Sequence, residues 1–180
     1  MKRLSEGMMF AAVGMGLAVA LLMLFAANVT PHVWLSIICL FVASVMTWVP
    51  AREDHGLLYG LITYVVTSGL ALLICRGVYT YLYVLLFGNF GLMLLVLRRY
   101  IQDKLLRVLV LLLYCNVMIA AGVAFAAYVL YYDVRTFIPE LPLWAIILIA
   151  EGGLCVYFLL YRICTDLFDT HCRKALLPRR

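Results

Sequence analysis

The chain has 180 residues, 67% of them hydrophobic and 13% charged, with a net charge of +5. Soluble domains are roughly 45–50% apolar, and a chain of this length cannot bury such an excess in a core of its own, so lipid must be part of its solvent. That excludes an ordinary soluble enzyme. The basic residues cluster in short stretches between apolar runs, where they set membrane orientation and do not build a nucleic-acid-binding face.

Hydropathy predicts an all-α, polytopic membrane protein of six helices in one domain over 1–180. Helix 1 spans about 7–29. Its apolar run, Met8 to Val29, is too long for the core of a signal peptide and reads as a retained span. Ala12, Gly16 and Ala20 recur at steps of four and form a smooth face. Such faces let helices approach closely in lipid, either within the chain or on a partner subunit. After the loop NVTPH, helix 2 covers about 33–48 and is stopped by Pro50. The charged stretch AREDHG leads to helix 3 at about 57–75, which ends at Arg76-Gly77. Helix 4, about 78–97, contains Gly88-Asn89-Phe90-Gly91. Helix 5 covers about 105–131, longer than a strict span requires. The loop DVRTFIPELP precedes helix 6, about 143–164, and residues 165–180 form a cytoplasmic interfacial tail.

Of the 14 Lys and Arg residues, only Arg76 and Arg135 fall on the side opposite the N-terminus. The positive-inside rule then places both termini in the cytoplasm. Trp34 and Trp144 mark the outer interface and Trp48 the inner one.

Three polar side chains lie deep in the predicted spans. A carboxylate at the bilayer centre costs at least about 2.5 kcal/mol, so Glu151 must face the protein interior and find a partner, a ligand or a proton. At about 1.5 Å of rise per residue, Glu151 sits roughly 12 Å from the outer end of helix 6. Asn89 sits roughly 16 Å from the outer end of helix 4, and Asn116 roughly 16 Å from the inner end of helix 5. In a core about 30 Å thick all three fall in the middle third. Two readings stand: a substrate-binding cavity formed by Glu151, Asn89 and Asn116, or a structural or proton-handling cluster. Arg76 either assists an anionic ligand or snorkels to the interface.

No catalytic or cofactor motif is present: there is no HExxH, GxSxG, P-loop or pair of intramembrane aspartates. His55 and Cys75 fall at opposite ends of helix 3, about 30 Å apart, too far for a dyad. The six cysteines, Cys39, Cys75, Cys115, Cys155, Cys164 and Cys172, show no disulfide or metal-ligand spacing. The expectation is therefore a non-enzyme with no cofactor and no metal.

The size, the six spans, the small-residue face and the polar groups of helices 4 to 6 together resemble the S components of energy-coupling factor transporters. These are the membrane-embedded substrate-capture subunits for vitamins and trace nutrients. The run HGLLYGLITYVVTSGLALLICRGVYTYLYVLLFGNFGLMLLVLRRYI, with LLRVLVLLLYCNVMIAAG after it, is similar to small six-helix membrane proteins of Gram-positive bacteria. The resemblance covers roughly 8–127. It implies a non-catalytic substrate-binding subunit of the bacterial cytoplasmic membrane, whose partners are a scaffold subunit docked at Ala12, Gly16 and Ala20 and separate ATPases. The rod-shape scaffold protein MreD is similar in size and layout and implies the alternative, an interaction module of a cell-envelope complex.

Overall fold

The computed structural model describes residues 6–51, 56–128, 142–168 and 170. These residues are all-helical, and six helical stretches are long and apolar enough to cross a membrane. The helices are α1 (Glu6–Val29), α2 (Val33–Ala51), α3 (Gly56–Ile74), α4 (Val78–Leu82), α5 (Gly88–Tyr100), α6 (Lys104–Tyr128) and α7 (Leu143–Leu167). A π-helical turn, Tyr83–Phe87, joins α4 to α5 in one continuous crossing. The end of predicted helix 5 beyond 128, the loop before Pro142 and most of the tail lie outside the described residues.

Contacts group the chain into two units, Met1–Ala124 and Phe125–Arg180. The first has a definite core, in which Ala20 and Leu24 of α1, Leu40 and Ala43 of α2, Ala71 of α3 and Tyr83 of the π turn meet. Its outer faces carry large apolar side chains such as Leu22, Ile38, Leu73 and Leu113. Exposed side chains of this kind fit a lipid solvent and not water.

Small residues decide how closely the helices approach. Helix α2 continues through Pro50 to Ala51, two to three residues beyond the expected stop. Near a helix end, only the bonds of the last turn are lost to the proline. Pro50 has no N–H to offer the carbonyl of Met46, four residues back. That carbonyl faces Gly16 of α1, where an added Cβ would stand 3.0 Å from the oxygen. Farther along, Gly56 and Gly60 of α3 receive the end of α2. A Cβ on Gly60 would lie 2.2 Å from the Ala51 Cβ and 2.9 Å from its Cα. This GxxxG pair lets α2 and α3 approach backbone to backbone.

Of the two readings of the small-residue face on α1, these contacts match packing within the chain. Gly16 and Ala20 are buried inside the first unit, and Ala12 is half-buried. This chain itself covers them, chiefly with α2. Gly16→Leu should accordingly lower the thermal midpoint of the isolated chain. An unchanged midpoint with loss only of a partner complex would reverse that assignment.

Candidate functional site

The polar interior is built around the π turn. A π turn carries its hydrogen bonds from i to i+5 and is concentrated at functional positions in helices. Here two hydroxyls from neighbouring helices reach its carbonyls, and a third reaches the carbonyl of Gly88 just after it. Tyr64 of α3 donates to Val84 O at 2.6 Å, and Ser44 of α2 donates to Phe87 O. Thr47 of α2 donates to Ser44 O at 2.7 Å, with Gly88 O also within reach at 3.1 Å. Irregular backbone in a membrane is tolerated where side chains satisfy it in this way. Gly88 makes room for the arrangement: a Cβ there would stand 2.9 Å from both the Tyr64 and the Tyr83 ring. The two ring centroids are 6.4 Å apart, tilted by 44°.

Next to these clamps lies a set of polar atoms with no hydrogen-bond partner. The hydroxyls of Thr67, Ser68 and Tyr83 and the side-chain oxygen of Asn89 are buried beyond the reach of solvent. Tyr83 and Thr67 are 0% exposed and Ser68 is 7% exposed. The Tyr83 hydroxyl feels Thr67 and Thr47, and the Tyr64 hydroxyl feels Ser68 and Asn89, without completing a hydrogen bond to Thr67, Ser68 or the Asn89 oxygen. Tyr114 of α6 interacts with Asn89 and Tyr64 from another side. Leaving a buried donor or acceptor unmade costs about 1–3 kcal/mol.

The behaviour of Thr67 and Ser68 stands out against the rest of the chain. A hydroxyl in an apolar helix ordinarily bonds a carbonyl three or four residues back. Thr30, Ser36, Thr47, Thr63 and Thr165 all do so. Thr67 and Ser68 do not. Tyr64, Thr67 and Ser68 share one face of α3 at spacings of three and four, and that face meets the π turn through the Tyr64 bond. Every buried polar residue of the first unit other than the tyrosines is serine or threonine; among its described residues none is charged.

Of the sequence-predicted residues, Asn89 belongs to this cluster. Its Nδ2 donates to Leu85 O at 3.2 Å, which leaves the oxygen directed elsewhere. Asn116 does not join it: the residue is exposed on α6, where its Nδ2 donates to Leu112 O at 3.1 Å. Glu151 is half-buried in the second unit and has an interaction of its own. The three residues expected from depth are thus not described as one site. Depth fixes a residue along the helix axis and not around it, and Asn116 is turned away while its neighbour Cys115 is buried.

Arg76 is exposed at the end of α3. Beside it, Asn28 of α1 closes the same end of the unit. Its Nδ2 donates to Leu24 O at 2.8 Å and to Thr80 Oγ1 at 3.0 Å, and Thr80 donates to Cys75 O. His55, His171 and Cys172 lie outside the described residues. Comparison with protein-family models, with curated proteins and with solved structures finds no match to this chain.

Proposed function

We propose that this chain is a membrane-embedded substrate-binding subunit of a multi-subunit transporter, with energy supplied by separate partner subunits. The observation that carries the reading is the set of partnerless polar atoms around the π turn. In the middle of a membrane domain such groups call for something to satisfy them. A mainly apolar enclosure with a few converging polar groups is the usual chemistry of a small-molecule site. A continuous channel is a poorer reading, because among the described residues of the first unit the buried polar side chains do not form a charged ring. In the proposed arrangement both termini face the bacterial cytoplasm, following the bias of the basic residues.

A partner would dock away from the Gly16 face. The other side of α1 presents Gly7, Ala11, Gly14 and Ala18, all exposed, and nothing lies within 4 Å of a Cβ added at Gly7 or Gly14. The same exposed face favours the second reading, an interaction module of a cell-envelope complex. Affinity purification from the native membrane through a tag after Arg180 separates the two. The transporter reading expects an ATPase and a long-helix membrane subunit in stoichiometric yield, lost on Gly14→Leu, with the tag inaccessible from outside intact cells. Recovery of envelope-assembly proteins in their place, or external labelling of the tag, would count against it.

A further inference from the structure

We infer that the ligand of this chain is a small, flat, uncharged molecule with an amide-type edge, held by Tyr64, Thr67, Ser68, Tyr83, Asn89 and Tyr114. This rests on the substrate-binding reading above and deepens it.

Charge is the first discriminator. Among the described residues of the first unit, the buried polar groups are hydroxyls, the Asn89 amide and the Trp48 indole N–H, without a carboxylate, ammonium or guanidinium. An ionised ligand would lose its hydration there and meet no counter-charge, which is prohibitive in a medium of low polarity. Hydrogen-bonding complementarity is the second. The Asn89 oxygen is an acceptor without a partner, while one of the two N–H groups of its amide nitrogen is given to Leu85 O. The Thr67, Ser68 and Tyr83 hydroxyls can each donate and are unbonded. A ligand must therefore bring at least one N–H or O–H for Asn89 and acceptor oxygens or nitrogens for the hydroxyls. One amide edge offers both within a few ångströms.

Shape is the third discriminator. The Tyr64 and Tyr83 rings stand 6.4 Å apart around Gly88. Tyr114 approaches Asn89 and Tyr64 from α6. Aromatic rings beside one amide favour a planar guest. Solvent does not reach the partnerless atoms, so the described arrangement is closed and a guest enters as the side chains part. The π turn is the natural place for that movement. Two of its carbonyls are held by the Tyr64 and Ser44 hydroxyls, and those hydroxyls can exchange partners without unwinding a helix.

Benzamide, benzamidinium and benzoate are nearly isosteric and carry zero, positive and negative charge. Each would be titrated into the full chain in lipid nanodiscs, with tyrosine and tryptophan fluorescence and the thermal midpoint as readouts. Benzamide is expected to bind saturably, at least tenfold more tightly than either ion. Asn89→Leu and Thr67→Val should each weaken it at least tenfold, and the lipid-facing control Leu22→Ala should not. Thr67→Val removes a partnerless hydroxyl and is expected to fold, so it carries the test if Asn89→Leu does not. Absence of saturable benzamide binding overturns the inference, as does equal binding of an ion. A preference for benzamidinium that disappears in Glu151→Gln would move the site to the carboxylate. The transporter reading fails separately, through the purification described above: neutral-ligand selectivity without partner subunits would leave a ligand-binding protein that is not part of a transporter.

Discussion

Gly60→Leu is expected to leave no stably folded protein, and Gly60→Ala to cost about 1–3 kcal/mol, the usual range for overpacking. A single methyl group at this position would sit 2.2 Å from the Ala51 Cβ, 2.8 Å from Leu92 Cδ2 and 2.9 Å from the Ala51 Cα. Leu92 could rotate away, but the Ala51 backbone could not. It belongs to the end of α2, where Pro50 O would also meet a Cβ on Gly56 at 2.4 Å. The only relief is to separate α2 from α3, and that would break the Thr47, Ser44 and Tyr64 bonds that seat the π turn between them. In lipid no water expulsion compensates for lost helix contact, since the tails are as apolar as the side chains they would replace. The check is monodispersity and thermal midpoint in detergent. A leucine variant with a wild-type midpoint would show that the two helices are not in backbone contact. Gly69, around which nothing lies within 4 Å, serves as the tolerant control on the same helix.

Two tyrosines facing each other should respond to the same substitution with opposite signs. Tyr64→Phe removes a donor whose acceptor, Val84 O, stays buried in the π turn. The expected loss is about 1–3 kcal/mol. Tyr83→Phe removes a hydroxyl that is buried and completes no hydrogen bond, with Thr67 and Thr47 near it. Its desolvation penalty disappears while the ring keeps its packing against Ala20, Leu24, Leu40 and Ala71. The expected gain is about 1 kcal/mol, within the usual cost of a buried unmet donor. A stabilised protein that binds less well is the signature of a group retained for function at the expense of stability. The comparison is made by thermal unfolding of both variants under one condition. If both are destabilised alike, the Tyr83 hydroxyl has a partner and the cluster is structural.

These expectations turn on residues that the sequence exposes unevenly. The six spans were legible because hydropathy integrates over about twenty residues and tolerates errors at the ends. Asn89 was legible because an amide within an apolar helix stands out whichever way it points. Tyr64, Thr67 and Ser68 were not, since hydroxyls in membrane helices usually bond their own backbone, as Thr63 does one turn earlier. Their signal was present as one polar face at spacings of three and four in an otherwise apolar helix. The π turn left no sequence mark, because Tyr83–Phe87 reads YVLLF and suits a regular helix equally well. Depth left the readings of Asn116 and Glu151 open for a geometric reason. Matching depths say that residues lie at one level and leave their rotation about each helix axis open. Likewise, the small residues at 12, 16 and 20 mark a smooth face, but sequence could not say which helix fills it.

The clamping of the π turn also bears on how the chain is made. Synthesis proceeds from the N-terminus, so α2 with Ser44 and Thr47, then α3 with Tyr64, leave the ribosome before the carbonyls of Val84, Phe87 and Gly88. The donors are in place when the irregular turn arrives, and it can enter the bilayer without a period in which its backbone is exposed to hydrocarbon. Had the clamping hydroxyls been supplied from α6, the same turn would have waited for a later helix, at the stage when an insertion intermediate is most open to quality-control proteases.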